Sequence, residues 1–507
     1  AFNNIDPEDI QSISLLKDAS ATAVYGAKGA NGVLIITTRR GVAGRPKISA
    51  KAETGFSSLT KLPQMLDGVN YMKLYNEAKV NGGGEPVYTD EQIRKTASGL
   101  DPYLYPDVDW INTIYKNWAP MTNANVNVSG GGESMRYYVS MSFYNQDGQY
   151  KVTDINYNPN LNFKRYDFRS NVDLNVTKTT LLSLNLASML VNSRFPGTSA
   201  GSIWYATYGT NPISFPVSYP DGKWAGPVNN GGSNPFNLVQ NAGYSTEFKP
   251  SIQSVLSLNQ KLDGITEGLS ANARFSFDTY SEFDNHRTGV NDLWYARSRD
   301  EDGSLLYNQT RTGDTYLGFN ASSSGERMMY LEGSLNYDRS FGKHNFGGLI
   351  VGSIRNRLRG AAGDLKSSIP YRSQSTAARV TYSYMDKYLA EANMGATGSE
   401  NFQQGKRWGY FPAGSVGWVI SKEDFFQPLA DVISLLKIRG SYGMTGNDLI
   451  GTNDRFGYLT YYSTGASGVS FGSAGSPTYY PGISADVIGT ENLSWEKSAK
   501  TDIGLEM

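Results

Sequence analysis

The side chains best suited to chemistry in this chain are aromatic rings and carboxylates set in long polar stretches. Trp204, Tyr205, Tyr208 and Trp224 share one stretch, Trp294 and Tyr295 a second, and Tyr461, Tyr462, Tyr479 and Tyr480 a third. Flat aromatic faces with a polar edge suit sugar rings, which makes the first six the candidate substrate contacts. The same residue types also serve loop packing, partner contact or the girdles at a bilayer surface. Asp300-Glu301-Asp302-Gly303 offers a weak Ca²⁺ site through Asp300 and Asp302. A complete calcium loop is missing, and Asp-Gly equally favours a tight turn. His286 and His344 are the two histidines, and neither falls in a metal-ligand spacing. No Ser/His/Asp arrangement, nucleophile elbow or phosphate-binding glycine loop occurs. The chain has no cysteine, which removes thiolate sites and Cys nucleophiles. The expectation is a non-enzyme with no catalytic residues, no cofactor and no metal beyond the weak calcium candidate.

Charge and hydropathy narrow the class. With 46 Lys and Arg against 47 Asp and Glu the net charge is −1, so no basic field for nucleic acid exists. No run of about 18 apolar residues occurs, so no transmembrane helix is expected. A mean hydropathy of −0.42 still suits a wide membrane barrel, whose lumen and loops are polar. No basic and apolar leader opens the chain, and it reads as a piece cut at both ends.

The elements that would position these residues announce themselves by period-two alternation. Phe168, Val172, Leu174 and Val176 share one face, and Arg169, Asn171, Asp173 and Asn175 the other. Leu269, Ala271, Ala273, Phe275 and Phe277 likewise oppose Ser270, Asn272, Arg274, Ser276 and Asp278. Fourteen such strands are predicted, at 47–56, 122–130, 135–145, 164–176, 181–192, 251–262, 268–283, 328–340, 344–355, 372–384, 387–397, 408–421, 435–445 and 495–506. Their lengths suit a tilted bilayer crossing. Short turns alternate with long connections, the pattern of an outer-membrane barrel with its short turns in the periplasm.

The first residues differ. Asp6-Pro7-Glu8-Asp9 is a helix start, with a capping Asp, Pro at the first helical position and acids in the first turn. Ile13–Leu16 and Gly32–Thr38 read as strands, and Ser20–Tyr25 as a helical turn that Gly26 can end.

The run from Glu8 to Thr38, "EDIQSISLLKDASATAVYGAKGANGVLIITT", resembles the closing half of the plug of SusC/RagA-type TonB-dependent outer-membrane transporters. "LDGVNYMKLYNEA" from Leu66, "RWGYFPAGSVGWVISKEDFF" from Arg407 and "LKIRGSYGMTGN" from Leu436 resemble later landmarks of the same family. The resemblance implies a C-terminal plug remnant at 1–41. It implies fourteen strands, about two-thirds of a twenty-two-stranded antiparallel barrel, at 42–507. Asp18, Tyr25, Gly26, Asn31 and Gly32 then form the plug motif. Gly26 and Gly32 allow turns, and Tyr25 and Asn31 face the lumen or the substrate cavity.

The implied function is TonB-dependent import of a bulky nutrient, an oligosaccharide first and a peptide second, across the bacterial outer membrane. The implied partners are a SusD-like surface lipoprotein, the TonB-ExbB-ExbD complex and outer-membrane lipid. Arg169, Asp173, Arg274, Asp278, Glu332, Asp338, Arg379, Glu391, Lys437 and Arg439 sit on polar strand faces. They are expected to pair with plug groups, water or each other, because buried charges need partners. The rival readings are a siderophore or cobalamin receptor, a passive porin, and a soluble β-rich glycan-binding protein.

Overall fold

A strand that alternates apolar and polar residues has one face that avoids water and one that seeks it, and it gains most by pairing with strands of the same register. The computed structural model of the chain describes residues 5–16, 32–153, 157–228, 232–429, 431–449, 455–473 and 475–507. Its strands are β1 (Ile10–Leu16), β2 (Val33–Thr38), β3 (Gly44–Ser57), β4 (Ala119–Gly131), β5 (Met135–Asp147), β6 (Asn162–Asn175), β7 (Thr180–Pro196), β8 (Gly243–Lys261), β9 (Leu269–Thr288), β10 (Leu293–Arg299), β11 (Leu305–Arg311), β12 (Gly318–Phe341), β13 (His344–Gly360), β14 (Tyr371–Tyr384), β15 (Tyr388–Ser399), β16 (Trp408–Val419), β17 (Lys437–Asn447), β18 (Tyr461–Phe471), β19 (Thr478–Val487) and β20 (Glu496–Glu506).

Fourteen of them, all those expected from alternation, form one antiparallel sheet that runs from β3 in sequence order to β20. Three hairpins stand apart from it, β1–β2, β10–β11 and β18–β19. The short turns lie at one end of the sheet. One of them is the three-residue turn 385–387, with Met385 and Asp386 at φ 54° and 52°, the primed geometry whose twist matches antiparallel strands.

Two adjacent rows across the sheet show how completely its faces differ. Val172, Leu184, Leu256, Phe275, Leu331 and Ile354 are successive register partners on β6, β7, β8, β9, β12 and β13. One residue away, Asp173, Ser183, Ser257, Arg274, Glu332 and Ser353 form the neighbouring row in the same register. The first row is apolar and, beyond the half-buried Val172, exposed, with Leu184 at 47% and Leu331 at 55%. The second points to the other face, called here the inner face. No helix among the described residues is long and apolar enough to cross a membrane.

Some strands outrun the alternation. β12 begins at Gly318 rather than near 328, and β8 at Gly243 rather than near 251. The added residues Gly318-Phe319-Asn320-Ala321-Ser322-Ser323-Ser324 keep the backbone ladder without an apolar ridge, as expected where both faces meet water. The long connections also carry helices that the sequence reading left out: α1 (Gly68–Asn81), α2 (Asp90–Ser98), α3 (Trp110–Ile114), α4 (Ala200–Gly209), α5 (Pro235–Asn241) and α6 (Leu365–Ser368).

Candidate functional site

The N-terminal segment lies on the inner face, and named bonds hold it there. Asp6 caps a short 3-10 turn at Pro7–Asp9 by accepting from the Glu8 N–H at 2.8 Å. That turn delivers the Asp9 side chain to the sheet. Asp9 is 2% exposed, and its carboxylate accepts from the Tyr138 hydroxyl at 2.8 Å, the Ser140 hydroxyl at 2.6 Å and Arg169 Nε at 2.9 Å. A second contact follows β2, where Arg40 pairs with Asp173 at 2.8 Å while Ser183 donates to the same carboxylate at 2.6 Å. Asn171 donates to the Arg39 carbonyl at 2.7 Å and to the Thr38 hydroxyl at 3.2 Å. Lys51 reaches Glu8 at 2.8 Å. Buried charges are tolerable only when paired and hydrogen-bonded, and both carboxylates meet that condition.

Arg169 and Asp173 were legible as polar-face charges. Asn171 was legible on the same polar face, but Asn125, Tyr138 and Ser140 were not singled out, although all four are buried under the segment. The available signal was a Tyr on the polar ridge of β5, opposite the outward Met141, which is 63% exposed. Further along, inner-face charges pair across strands. Arg274 meets Glu332 at 3.5 Å, Arg379 meets Glu391 at 2.7 Å, and Lys437 meets Glu506 at 3.3 Å. Asp278 accepts from the Ser276 hydroxyl at 3.2 Å.

Above the far ends of the strands the long connections fold together into a cap. One apolar cluster joins Ile111 and Ile114 of α3, Tyr115, Tyr150, Ile203 of α4 and Val239 of α5. A second joins Trp110, Phe215, Tyr219, Ala225 and Ala296. Asn234 is fully buried, caps α5, and donates to the Val217 and Ala225 carbonyls at 2.8 Å each. Tyr219 is buried, and its hydroxyl accepts from the Ala296 N–H at 2.9 Å. Burial pushes the pKa of that phenol up to about 12. Asp101 takes a two-pronged bond from Arg299, 2.8 Å on each arm, and the guanidinium holds its carboxyl below the usual aspartate range.

The cap uses most of the candidate aromatic residues as structure. Trp204 packs tilted against Tyr208 with ring centroids 4.2 Å apart and edge-on against Tyr115 at 6.1 Å. Tyr208 packs against the first cluster and Trp294 against the second. Trp224 lies 6.1 Å from Phe236. Tyr295 is partly buried, and Tyr205, 83% exposed, presents the most open ring of the six. Asp300 and Asp302 form the β10–β11 turn: Gly303 stands at φ 86°, and Asp302 accepts from the Ser304 N–H at 2.9 Å and hydroxyl at 2.6 Å. One group of acids among the described residues has metal-ligand spacing, Glu247, Glu282 and Asp284. Lys249 already bridges Glu247 and Glu282 at 2.9 and 2.8 Å. His286 Nδ1 meets the Ser245 hydroxyl at 2.8 Å, and His344 Nδ1 meets the Tyr382 hydroxyl at 2.9 Å. Asp18, Tyr25, Gly26 and Asn31, with the helical turn expected at 20–25, lie outside the described residues. Gly32 stands at φ 93°, where an added Cβ would meet the Leu16 carbonyl at 3.0 Å.

With this geometry in hand, comparison with known proteins is direct. The chain is 26% identical over its whole length to TonB-dependent receptor P26 of Formosa agariphila, covering 49% of that protein. It is 26% identical over 99% of its length to TonB-dependent receptor SusC of Bacteroides thetaiotaomicron, again covering 49%. The chain is similar in sequence to TonB-dependent receptors of the SusC type. A solved structure of the RagAB peptide importer in the closed-closed state superposes with a TM-score of 0.71, at 20% identity, over 99% of this chain and 57% of that one. No protein-family model matches the chain. It spans about half the length of the curated relatives it matches. TonB-dependent receptors of the SusC/RagA type are outer-membrane β-barrel proteins, so the exposed apolar row faces lipid and the inner face the lumen.

Proposed function

We propose that the whole protein imports a bulky nutrient across the outer membrane, an oligosaccharide in the first instance and a peptide in the second. Residues 1–41 are the closing part of a plug, and 42–507 are barrel wall. A SusD-like lipoprotein lids the outer side, and the TonB-ExbB-ExbD complex pulls the plug from the periplasm. The observation that carries this reading is the buried docking of Asp9 on Tyr138, Ser140 and Arg169, a stopper bonded to a wall. The outer membrane has no nucleotide to burn, and force on a locally unfoldable element can couple a distant energy source. The exposed Tyr205 and Tyr462, at 83% and 67%, offer open rings of the kind sugars stack on. The likeness to the RagAB peptide importer supports the second substrate.

Uptake by intact cells, with and without functional TonB, tests the proposal. Import should vanish without TonB. Liposomes carrying the complete protein should not swell in small sugars, and free swelling would identify a passive porin instead.

A further inference from the structure

The outer part of the inner face holds a concentration of positive charge that its own carboxylates do not match. Arg355, Arg357 and Arg359 alternate along β13 and therefore point to one side. Their register partners on β12 are Tyr330, Met328 and Glu326, in the same inward set as Glu332. The strand ends at Gly360, so the three guanidiniums line the rim next to the long connections. Glu326 pairs with Arg357. Among the described residues Arg355 and Arg359 have no acidic partner; Arg355 Nε is spent on Met328 Sδ at 3.1 Å. Tyr371, first residue of β14, faces the Arg357 and Arg359 guanidiniums at 5.4 and 5.2 Å. Arg455, 4% exposed, covers the same ring at 3.7 Å, donates to the carbonyls of Lys366, Ile369 and Pro370 and pairs with Glu400 at 3.6 Å, which leaves the excess charge on Arg355 and Arg359. Like charges held this close and half out of water repel and are poorly solvated. An oxyanion bound between them would reverse both costs, and guanidinium forks match carboxylate and sulfate geometry.

The flank of this patch is aromatic. Tyr461 receives Lys366 Nζ at 5.0 Å over its ring, which brings the β18–β19 hairpin beside it. On that hairpin Tyr462, next to Tyr461, is 67% exposed, whereas Tyr479 and Tyr480 pair with Ser470 and Val469 toward its far tip.

We infer that Arg355 and Arg359, with Arg357, form an oxyanion subsite at the outer rim of the lumen that selects acidic oligosaccharides, sugars bearing a carboxylate or a sulfate ester. The open Tyr462 ring, on the hairpin whose first residue lies beside this patch, together with the guanidiniums favours a charged sugar over a peptide, since ring and cation each recognise one half of such a unit. The inference rests on the import reading above.

The test is equilibrium binding by the complete protein in detergent, with an oligouronate, a sulfated oligosaccharide and a neutral oligosaccharide of equal length as probes. The variant is Arg355→Gln with Arg359→Gln, its fold checked by heat-modifiable migration. The wild type should prefer an acidic probe, and the variant should bind it at least about tenfold more weakly, the scale of one charge-assisted hydrogen bond. Binding of the neutral probe should not change between the two. The uronate and sulfate arms identify the oxyanion. Equal affinity for neutral and acidic probes, or an unaltered variant, overturns the inference and leaves import standing. An acidic peptide that binds through these arginines while no sugar does overturns the choice of sugar. Binding of no probe overturns it as well, and TonB-dependent uptake then judges the import reading separately.

Discussion

Asp9→Ala is the perturbation that bears most directly on how this molecule is held together. The substitution removes one carboxylate and strands three donors at once. They are the Tyr138 hydroxyl, on a residue 2% exposed, the Ser140 hydroxyl, on a residue 3% exposed, and the Arg169 guanidinium, whose side chain is 12% exposed. Breaking a buried ion pair by removing one partner costs about 3–5 kcal/mol, because the remaining charge is left without compensation. The reporter is β1–β2, a two-stranded sheet of six register pairs. A lone hairpin is marginal in water, so its protection depends on docking. A loss of about 3 kcal/mol raises the open population roughly a hundredfold.

Amide hydrogen exchange of the complete protein in detergent should therefore show faster exchange of Ile35 and Ile36 by about that factor, with the β8–β9 ladder unchanged. Asp9→Asn, which keeps an acceptor and loses the charge, should fall between. Asp9→Asn combined with Arg169→Gln should recover much of the protection, since deleting both members of a buried pair is often close to neutral. If Asp9→Ala leaves β1–β2 exchange within twofold of wild type, the docking bonds do not hold the segment and the stopper reading fails with them.

Three other perturbations probe the wall and the cap. Leu256→Arg puts a charge in the middle of the lipid-facing row and should cost about 2–4 kcal/mol in refolding into bilayers, whereas Ser257→Arg, one residue away on the inner face, should cost much less. Tyr219→Phe leaves the Ala296 N–H without its acceptor and should destabilise the cap by about 1–3 kcal/mol, seen as earlier proteolytic cleavage of the 197–242 connection. The same phenol, raised to about 12, favours the folded cap below its unfolded value near 10, and that contribution should disappear as pH rises through about 12. Asp101, lowered by Arg299, works in the opposite direction. Its contribution is complete above the ordinary aspartate range and is lost as pH falls through the lowered value. Acid should thus loosen the contact between 101 and 299, Asp101→Asn should do so at neutral pH, and limited proteolysis at both pH values reports it.

The wall was readable from sequence because its rule is repeated. Each crossing must show lipid one face and water the other, and Leu256 beside Ser257 or Leu331 beside Glu332 states that rule in two residues. Where lipid ends the rule ends, which is why the serine-rich start of β12 escaped it. The cap was unreadable for a different reason: its order comes from contacts distant in sequence, such as Trp110 Nε1 donating to the Asn211 carbonyl at 3.3 Å. Local signals were nonetheless present. Thr89 and Gln92 form a reciprocal capping box, and Gly99 ends the same helix at φ 62°. The sequence could not sort the aromatic candidates, because a packing Trp and a ligand-stacking Trp have the same spelling. Only the partners separate Trp294, packed against the second cluster, from Tyr205, open to solvent.

The two kinds of contact in this molecule have different physical lifetimes. The cap is fastened by apolar clusters, whose separation exposes hydrocarbon to water at about 25 cal/mol per Å² with nothing to replace it. The N-terminal segment is fastened by hydrogen bonds and ion pairs, from Asp9 to Tyr138, Ser140 and Arg169 and from Arg39 and Arg40 to Asn171 and Asp173. Once water can enter, each such bond nets only about 0.5–1.5 kcal/mol, or up to about 3 with a charge, because water substitutes for the lost partner. A polar interface is therefore firm while dry and yields stepwise when pulled open to solvent. An apolar plug face of the same area would have to be torn away whole. Under the import reading that difference is the mechanism: the parts that must keep their shape are joined by hydrocarbon, and the part that must let go is joined by groups that water can satisfy.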